Sequence, residues 1–286
     1  MNLPVSKVWL VRLGTLIGLA GIVFVGFKLY AYSSHIQTEH LRPGTYVAIA
    51  VLAIVYALAD TLLAAAWLNL LRHLDLTVGV RWSFWAYATS QLAKYVPGNV
   101  FQFAGRQVIG VGAGLPNRPL GKSILYELAL LCFAACHFAP LIAPLFLPAL
   151  GISPAIAVFI ALAAISATAI ARVLSPFAAR AFLLYLGFLF VSGALFALVA
   201  GFTGLDIASF SPFLVAVSAY VAAWMIGLVT PGAPAGLGVR EAVLIFLLPD
   251  FGTEASIVVA VLLSRIVTVL GDTFFYLSGH FIRPRS

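Results

Sequence analysis

Apolar runs of about 20 residues recur from one end of this chain to the other, the length an α-helix needs to cross the hydrocarbon core of a bilayer. Six segments meet that length: about 8–30, 45–71, 122–148, 153–171, 179–201 and 254–280. An outer-membrane barrel would instead show short segments of alternating polarity. Of the 286 residues, 63% are hydrophobic and only 9% are charged, whereas roughly a quarter of a soluble domain is charged. The expected fold is therefore an all-α polytopic membrane protein, a single transmembrane domain over 1–286. Lys7 and Arg12 precede an apolar run that is longer than the core of a signal peptide, so a retained first span is expected there.

Two further apolar segments are interrupted. The segment 82–111 breaks at Pro97-Gly98, and 212–248 breaks at Pro231-Gly232-Ala233-Pro234. Each limb of the first is about 14 residues, roughly 21 Å as helix, short of the roughly 30 Å core. Both segments are expected to be re-entrant hairpins, with their non-helical backbone covered by protein or a wet cavity. With a cytoplasmic N-terminus, one side holds Lys7, Arg12, Arg72, Arg81, Arg118, Lys122, Arg172, Arg180, Arg283 and Arg285. The opposite side holds only Lys28 and Arg42, a clear positive-inside bias with both termini in the cytoplasm. Reading one broken segment as two full spans preserves the bias.

The two breaks also correspond. Pro97 and Pro231 are 134 residues apart, and so are Arg106 and Arg240. The same offset carries 45–71 to 179–205 and 122–148 to 256–282, close to the fifth and sixth spans. The chain thus reads as two copies, about 1–150 and 151–286, each built as span, span, hairpin, span. Three crossings per copy would invert the second, the arrangement of transporter folds with a site near midplane between the repeats.

Proline breaks a helix and glycine tolerates the turn that follows. A limb restarting near Asn99 presents free N–H groups and a positive dipole end, an anion-binding arrangement. Lys94 lies just before that break and Arg106 two turns beyond it. In the second copy Gly232, Gly236 and Gly238 leave N–H groups open, and Arg240 takes the place of Arg106. An arginine at membrane depth costs roughly 2.5–3.5 kcal/mol on insertion scales. Lys94, Arg106, Arg240 and Arg265 face the acids Asp60, Glu127, Glu241 and Asp272, too few at matching depth to neutralise every cation. An external anion would complete the set, and in a membrane that anion is a lipid phosphate. Arg106 and Arg240 are expected to form two halves of one phosphate site, because the guanidinium fork holds two oxygens at once.

The alternative is internal pairing, Arg106 with Glu127 and Arg265 with Asp60 or Asp272. Glu241 neighbours Arg240 and so points elsewhere on its helix. Coupling or ion-pair roles are assigned to Glu127, Glu241, Arg265 and Asp272. His137 reads as a hydrogen-bonded core histidine. Cys132 and Cys136 read as packing thiols, since only His137 accompanies them and no metal ligand set is visible. Gly110, Gly112 and Gly114 lack a preceding strand and read as a flexible linker rather than a phosphate loop. Trp82, Trp85, Tyr87 and Tyr95 suit an interfacial aromatic belt. The net charge of +7 is ascribed to headgroup-facing loops, so nucleic acid is not an expected partner.

The stretches KYVPGNVFQFAGR and TPGAPAGLGVREAVL resemble the two signature hairpins of the lysylphosphatidylglycerol synthase transmembrane region, a flippase-like family. The resemblance covers essentially the whole chain. It implies a multi-pass protein of a bacterial or archaeal inner (cytoplasmic) membrane that moves phospholipid-type or polyprenyl-type lipids. The soluble aminoacyltransferase domain of the best-known members has no counterpart here, so lysine transfer is not expected.

The leading expectation is a lipid translocase that holds an anionic headgroup between inverted repeats, with no cofactor. The alternatives are an intramembrane headgroup transferase, for which no catalytic set is visible, and a non-catalytic partner presenting lipid to a separate lipid-modifying enzyme. A homo-oligomer is compatible with each. Cysteines placed at positions 118 and 206 should label from opposite sides of the membrane in accessibility assays. Labelling of both from one side would end the inverted-repeat reading.

Overall fold

The computed structural model describes residues 43–96, 100–147, 149–230 and 238–283. The expected first span, 8–30, lies outside the described residues, as do Pro97, Gly98, Asn99, Pro231, Gly232 and Gly236. The described chain is all-helical: α1 (Pro43–His73), α2 (Val80–Gln91) running into a 3-10 turn (Leu92–Tyr95), α3 (Phe101–Gly112) and α4 (Asn117–Cys136). After a one-turn helix (Ala139–Ile142) come α5 (Ile152–Val173), α6 (Pro176–Phe202), α7 (Phe210–Val229), α8 (Val239–Leu247) and α9 (Glu254–Phe281). Six stretches, built on α1, α4, α5, α6, α7 and α9, are long and apolar enough to cross a membrane. The chain is a multi-pass membrane protein.

The helix ends follow from local chemistry. Ser175 caps α6, its Oγ accepting from the Ala178 N–H at 3.1 Å, and Pro176 fills the first helical position, where a missing N–H costs nothing. Thr253 caps α9 by accepting from the Ser256 N–H at 3.2 Å. At the end of α1, Asp75 adopts φ 57° and Leu76 donates to the Leu71 carbonyl at 2.9 Å, a left-handed stop. Gly114 closes α3 in the same way, with φ 89° and a 3.0 Å bond from Leu115 to Gly110. Gly110 and Gly112 therefore belong to a helix, not to the flexible linker expected of them, and only Gly114 serves the turn.

Helices α1, α6 and α9 pack on one another at the centre, with α2 against α9 and α1, α4 against α6 and α1, and α7 against α6. α5 lies outermost, an apolar helix almost wholly exposed on its span, as a lipid-facing helix in a bundle is. The second interrupted segment, expected to be a re-entrant hairpin, has limbs of unequal length. α7 has 20 residues, about 30 Å at 1.5 Å per residue, and α8 has nine. The first limb of the second segment is thus itself long enough to cross.

Backbone contact between α1 and α9 is set by Gly271. A Cβ there would stand 2.8 Å from the Ala53 carbonyl oxygen and 2.8 Å from the Tyr56 ring. The close approach brings Asp272, the next residue, against the middle of α1. Gly271→Ala should therefore destabilise the bundle by roughly 1–3 kcal/mol, the cost of overpacking. Gly121→Ala, which meets nothing within 4 Å, should be neutral or stabilising. Thermal unfolding of the purified protein in detergent measures both.

Candidate functional site

Charged side chains in the helix bundle gather in three groups. In the first, Arg106 of α3 meets Glu127 of α4 through two parallel bonds, Nη1 to Oε2 at 2.6 Å and Nη2 to Oε1 at 3.0 Å. Tyr87 of α2 donates to the same Oε1 at 3.0 Å. The guanidinium carbon lies 4.2 Å from the Tyr87 ring centre, 5.1 Å from that of Phe103 and 5.3 Å from that of Trp67. Arg106 and Glu127 are 2% and 3% exposed, so the pair is closed off from solvent. The planar fork suits both a bidentate carboxylate and flanking aromatic faces. This arrangement is the internal pairing held open above for Arg106.

The second group joins α1, α2, the 3-10 turn and α9. Asp272 accepts from Lys94 Nζ at 2.7 Å and from Gln91 Nε2 at 3.1 Å on one oxygen, and from the Tyr95 hydroxyl on the other. Gln91 Nε2 also reaches Asp60 Oδ1 at 3.3 Å. Both aspartates are fully buried, and the one Gln91 nitrogen reaches both carboxyl groups. Asp60 Oδ2 has no hydrogen-bond partner among the described residues. Lys94 keeps a quarter of its side chain exposed, beside the Tyr56 and Tyr95 rings at 5.9 and 5.5 Å.

The third group lies on α8 and α9. Arg265 pairs with Glu241, Nη2 and Nε each 3.1 Å from Oε1. Glu241 forms its ion pair with Arg265 and none with its neighbour Arg240, though its charge also acts on Arg240. The predicted partners of Arg265, Asp60 and Asp272, are taken instead by Gln91 and Lys94. Asp272 lies seven residues on, about two turns further along α9, beside the 3-10 turn. Arg240 forms no ion pair among the described residues, and its Nε is buried without a hydrogen-bond partner. It sits 6.0 Å from the Trp224 ring centre and within electrostatic range of Tyr220, Arg265, Tyr56, Glu241 and Tyr95. Gly238, at φ 80° with open space where a Cβ would stand, precedes α8 two residues before Arg240.

The eight ionisable residues are thus brought together differently from the expectation. Of the four cations, Arg106, Arg265 and Lys94 each find an acid, and Arg240 finds none among the described residues. Arg106 and Arg240 have separate neighbours and form no common fork. Lys94 lies over the Tyr56 and Tyr95 rings, and Arg240 is within electrostatic range of the same two tyrosines. Tyr87 and Tyr95 point inward to carboxylates rather than forming an interfacial belt, and neither role has a local sequence signal. His137 is the buried, hydrogen-bonded histidine expected, 2.9 Å from Ser166 Oγ. Cys132 and Cys136 are free thiols, and Cys136 is exposed. No protein-family model matches the chain, and no curated protein matches it at a significant level.

Glu127→Gln removes the charge opposing a buried arginine, a loss of about 3–5 kcal/mol when one partner of a buried pair is removed. Glu254→Gln, on the exposed first turn of α9, should be neutral. Thermal unfolding in detergent should separate the two variants by many degrees; equal melting would mean that Glu127 contributes nothing to the bundle.

Proposed function

We propose that this protein is a lipid translocase of a bacterial or archaeal cytoplasmic membrane, which binds the anionic headgroup of a phospholipid or polyprenyl-phosphate lipid. One observation carries the reading. Arg240 is a cation within the bundle that forms no ion pair among the described residues, and it acts on the same two tyrosines, Tyr56 and Tyr95, over which Lys94 lies. An arginine at membrane depth without a counter-ion is costly, and a phosphate is the anion that a lipid phase supplies. Its planar donors can take two phosphate oxygens, and Lys94 adds a point charge. Arg106 has the opposite character: its Nη atoms are both taken by Glu127, so its part is to hold α3 against α4 and α2.

The arrangement of helices supports an internal repeat. An offset of 134 residues carries α1 from 43–73 to 177–207, over α6 (Pro176–Phe202). It carries the end of the 3-10 turn, Tyr95, onto Val229, the end of α7. It carries α3 to 235–246 and α4 to 251–270, over α8 and α9. Inversion of the second copy would favour a shared midplane cavity with Arg240 and Lys94 beside it, as in carriers built from inverted repeats. The headgroup crosses in that cavity while the acyl chains stay in lipid.

In vesicles, the full-length protein should move a labelled anionic phospholipid between leaflets. Arg240→Ala should abolish movement without lowering thermal stability, and Lys94→Met should weaken it. Arg240→Lys, which keeps charge but loses the fork, should retain partial activity. Arg106→Ala should act mainly through lost stability. Movement at the parent rate by a well-folded Arg240→Ala would overturn the site. A chemically altered lipid would point to a headgroup transferase, and binding without movement to a lipid-presenting partner.

A further inference from the structure

The charges around Arg240 carry a second conclusion. Asp60 and Asp272 are both fully buried, adjacent across α1 and α9, and share one donor, Gln91 Nε2, at 3.3 and 3.1 Å. Among the described residues, Lys94 is the single ion-pair partner in contact with them, and it bonds to Asp272 alone. Asp60 Oδ2 is a buried carboxyl oxygen with no donor among the described residues. Two carboxylates side by side without solvent cannot both stay ionised once their cation withdraws, so such pairs share a proton.

The surroundings define what this pair senses. Tyr56 faces it from α1, Tyr95 from the 3-10 turn, and beyond them lie Tyr220 of α7 and Arg240 of α8. α6 packs on both helices, but its one charged side chain, Arg180, is exposed, and its Tyr185 faces Glu127. Arg265 of α9 is engaged with Glu241. With both carboxyls ionised, Asp60, Asp272, Lys94 and Arg240 sum to zero charge. A phosphate diester arriving at the two cations adds one negative charge, and a single proton restores neutrality.

We propose that Asp60 and Asp272 form a proton-binding site whose filling is linked to the filling of an anion site at Arg240 and Lys94. The linkage rests on the translocase reading above; the proton site stands without it. As the phosphate enters, Lys94 Nζ turns from Asp272 Oδ1 to a phosphate oxygen and keeps its three protons. A proton from hydronium of the aqueous phase adds to Asp60 Oδ2, leaving a water molecule behind, and the new O–H donates to Asp272. No other bond forms or breaks. The proton and the lipid anion then cross together as a neutral set, and a proton gradient gives the movement its direction.

Infrared difference spectra between acidic and alkaline buffer test this on the full-length protein in phosphatidylcholine vesicles, with and without phosphatidylglycerol. The protonated-carboxyl C=O band should appear in the parent, vanish in Asp60→Asn and in Asp272→Asn, and persist in Glu254→Gln. Asp60→Glu, which retains a carboxyl, should restore a shifted band. Phosphatidylglycerol should hold the band to more alkaline buffer, and inorganic phosphate should not. An effect of inorganic phosphate equal to that of the lipid would move the anion site from lipid headgroups to the free ion. Absence of the band from the parent, or its survival in both asparagine variants, would overturn the proton site and leave lipid movement untouched. A band indifferent to phosphatidylglycerol would overturn the linkage. A linked band in vesicles where the parent moves no lipid would sink the translocase reading alone.

Discussion

A charge inside an apolar helix bundle must be solvated by other side chains, and this requirement organises the polar interior of the molecule. Four cations, Lys94, Arg106, Arg240 and Arg265, meet four acids, Asp60, Glu127, Glu241 and Asp272, among the described residues. Three cations are matched. The remaining cation, Arg240, and the acid left without an ion pair, Asp60, do not meet.

The three matched pairs are not equivalent. Arg106–Glu127 is bidentate, reinforced by Tyr87 and enclosed by three aromatic rings, and both partners are nearly inaccessible. A hydrogen bond to an ionised group is shorter and stronger than a neutral one, and two in parallel also fix orientation. Such a pair holds three helices in register and has little left to offer a ligand. Lys94–Asp272 is a single contact to a flexible, partly exposed ammonium. Its position depends on Gly271, because only a residue without Cβ lets α9 approach α1 closely enough for Asp272 to reach the 3-10 turn. A packing constraint between two long helices thus sets the electrostatics of the site.

Much of the fold was legible in the sequence because span length is set by bilayer thickness. The segments 45–71, 153–171, 179–201 and 254–280 fall within a few residues of α1, α5, α6 and α9. The span 122–148 was less so: its helix begins earlier, at Asn117, and its C-terminal part breaks into short turns after Cys136. The polar residues worth attention were visible as exceptions in apolar runs. Partner choice was not legible. Lys94 and Tyr95 find Asp272 across 178 and 177 residues, and no periodicity encodes that meeting. Gln91 is unremarkable in sequence and becomes the bridge between two acids only through the crossing of α1, α2 and α9. The equivalence of Arg106 and Arg240 at a fixed offset suggested equal roles, yet their partners differ. The first copy carries Glu127 where the second, 134 residues on, has Val261, so only one arginine is neutralised from within.

That asymmetry suits the proposed carrier. A binding site that must also release its cargo cannot hold it as tightly as chemistry allows, and passage requires entry to be favourable but exit possible. Two free arginines at equivalent positions would grip a phosphate from both sides of the pseudo-symmetry axis. With Arg106 committed to Glu127, one arginine remains to orient the headgroup. The second cation, Lys94, has an internal acid to return to, so each phosphate bond it makes is offset by a carboxylate bond that it gives up. Affinity is thereby lowered without loss of charge complementarity. The same competition ties release of the anion to the charge on the carboxyl pair, because Lys94 returns to Asp272 most readily when Asp272 is ionised.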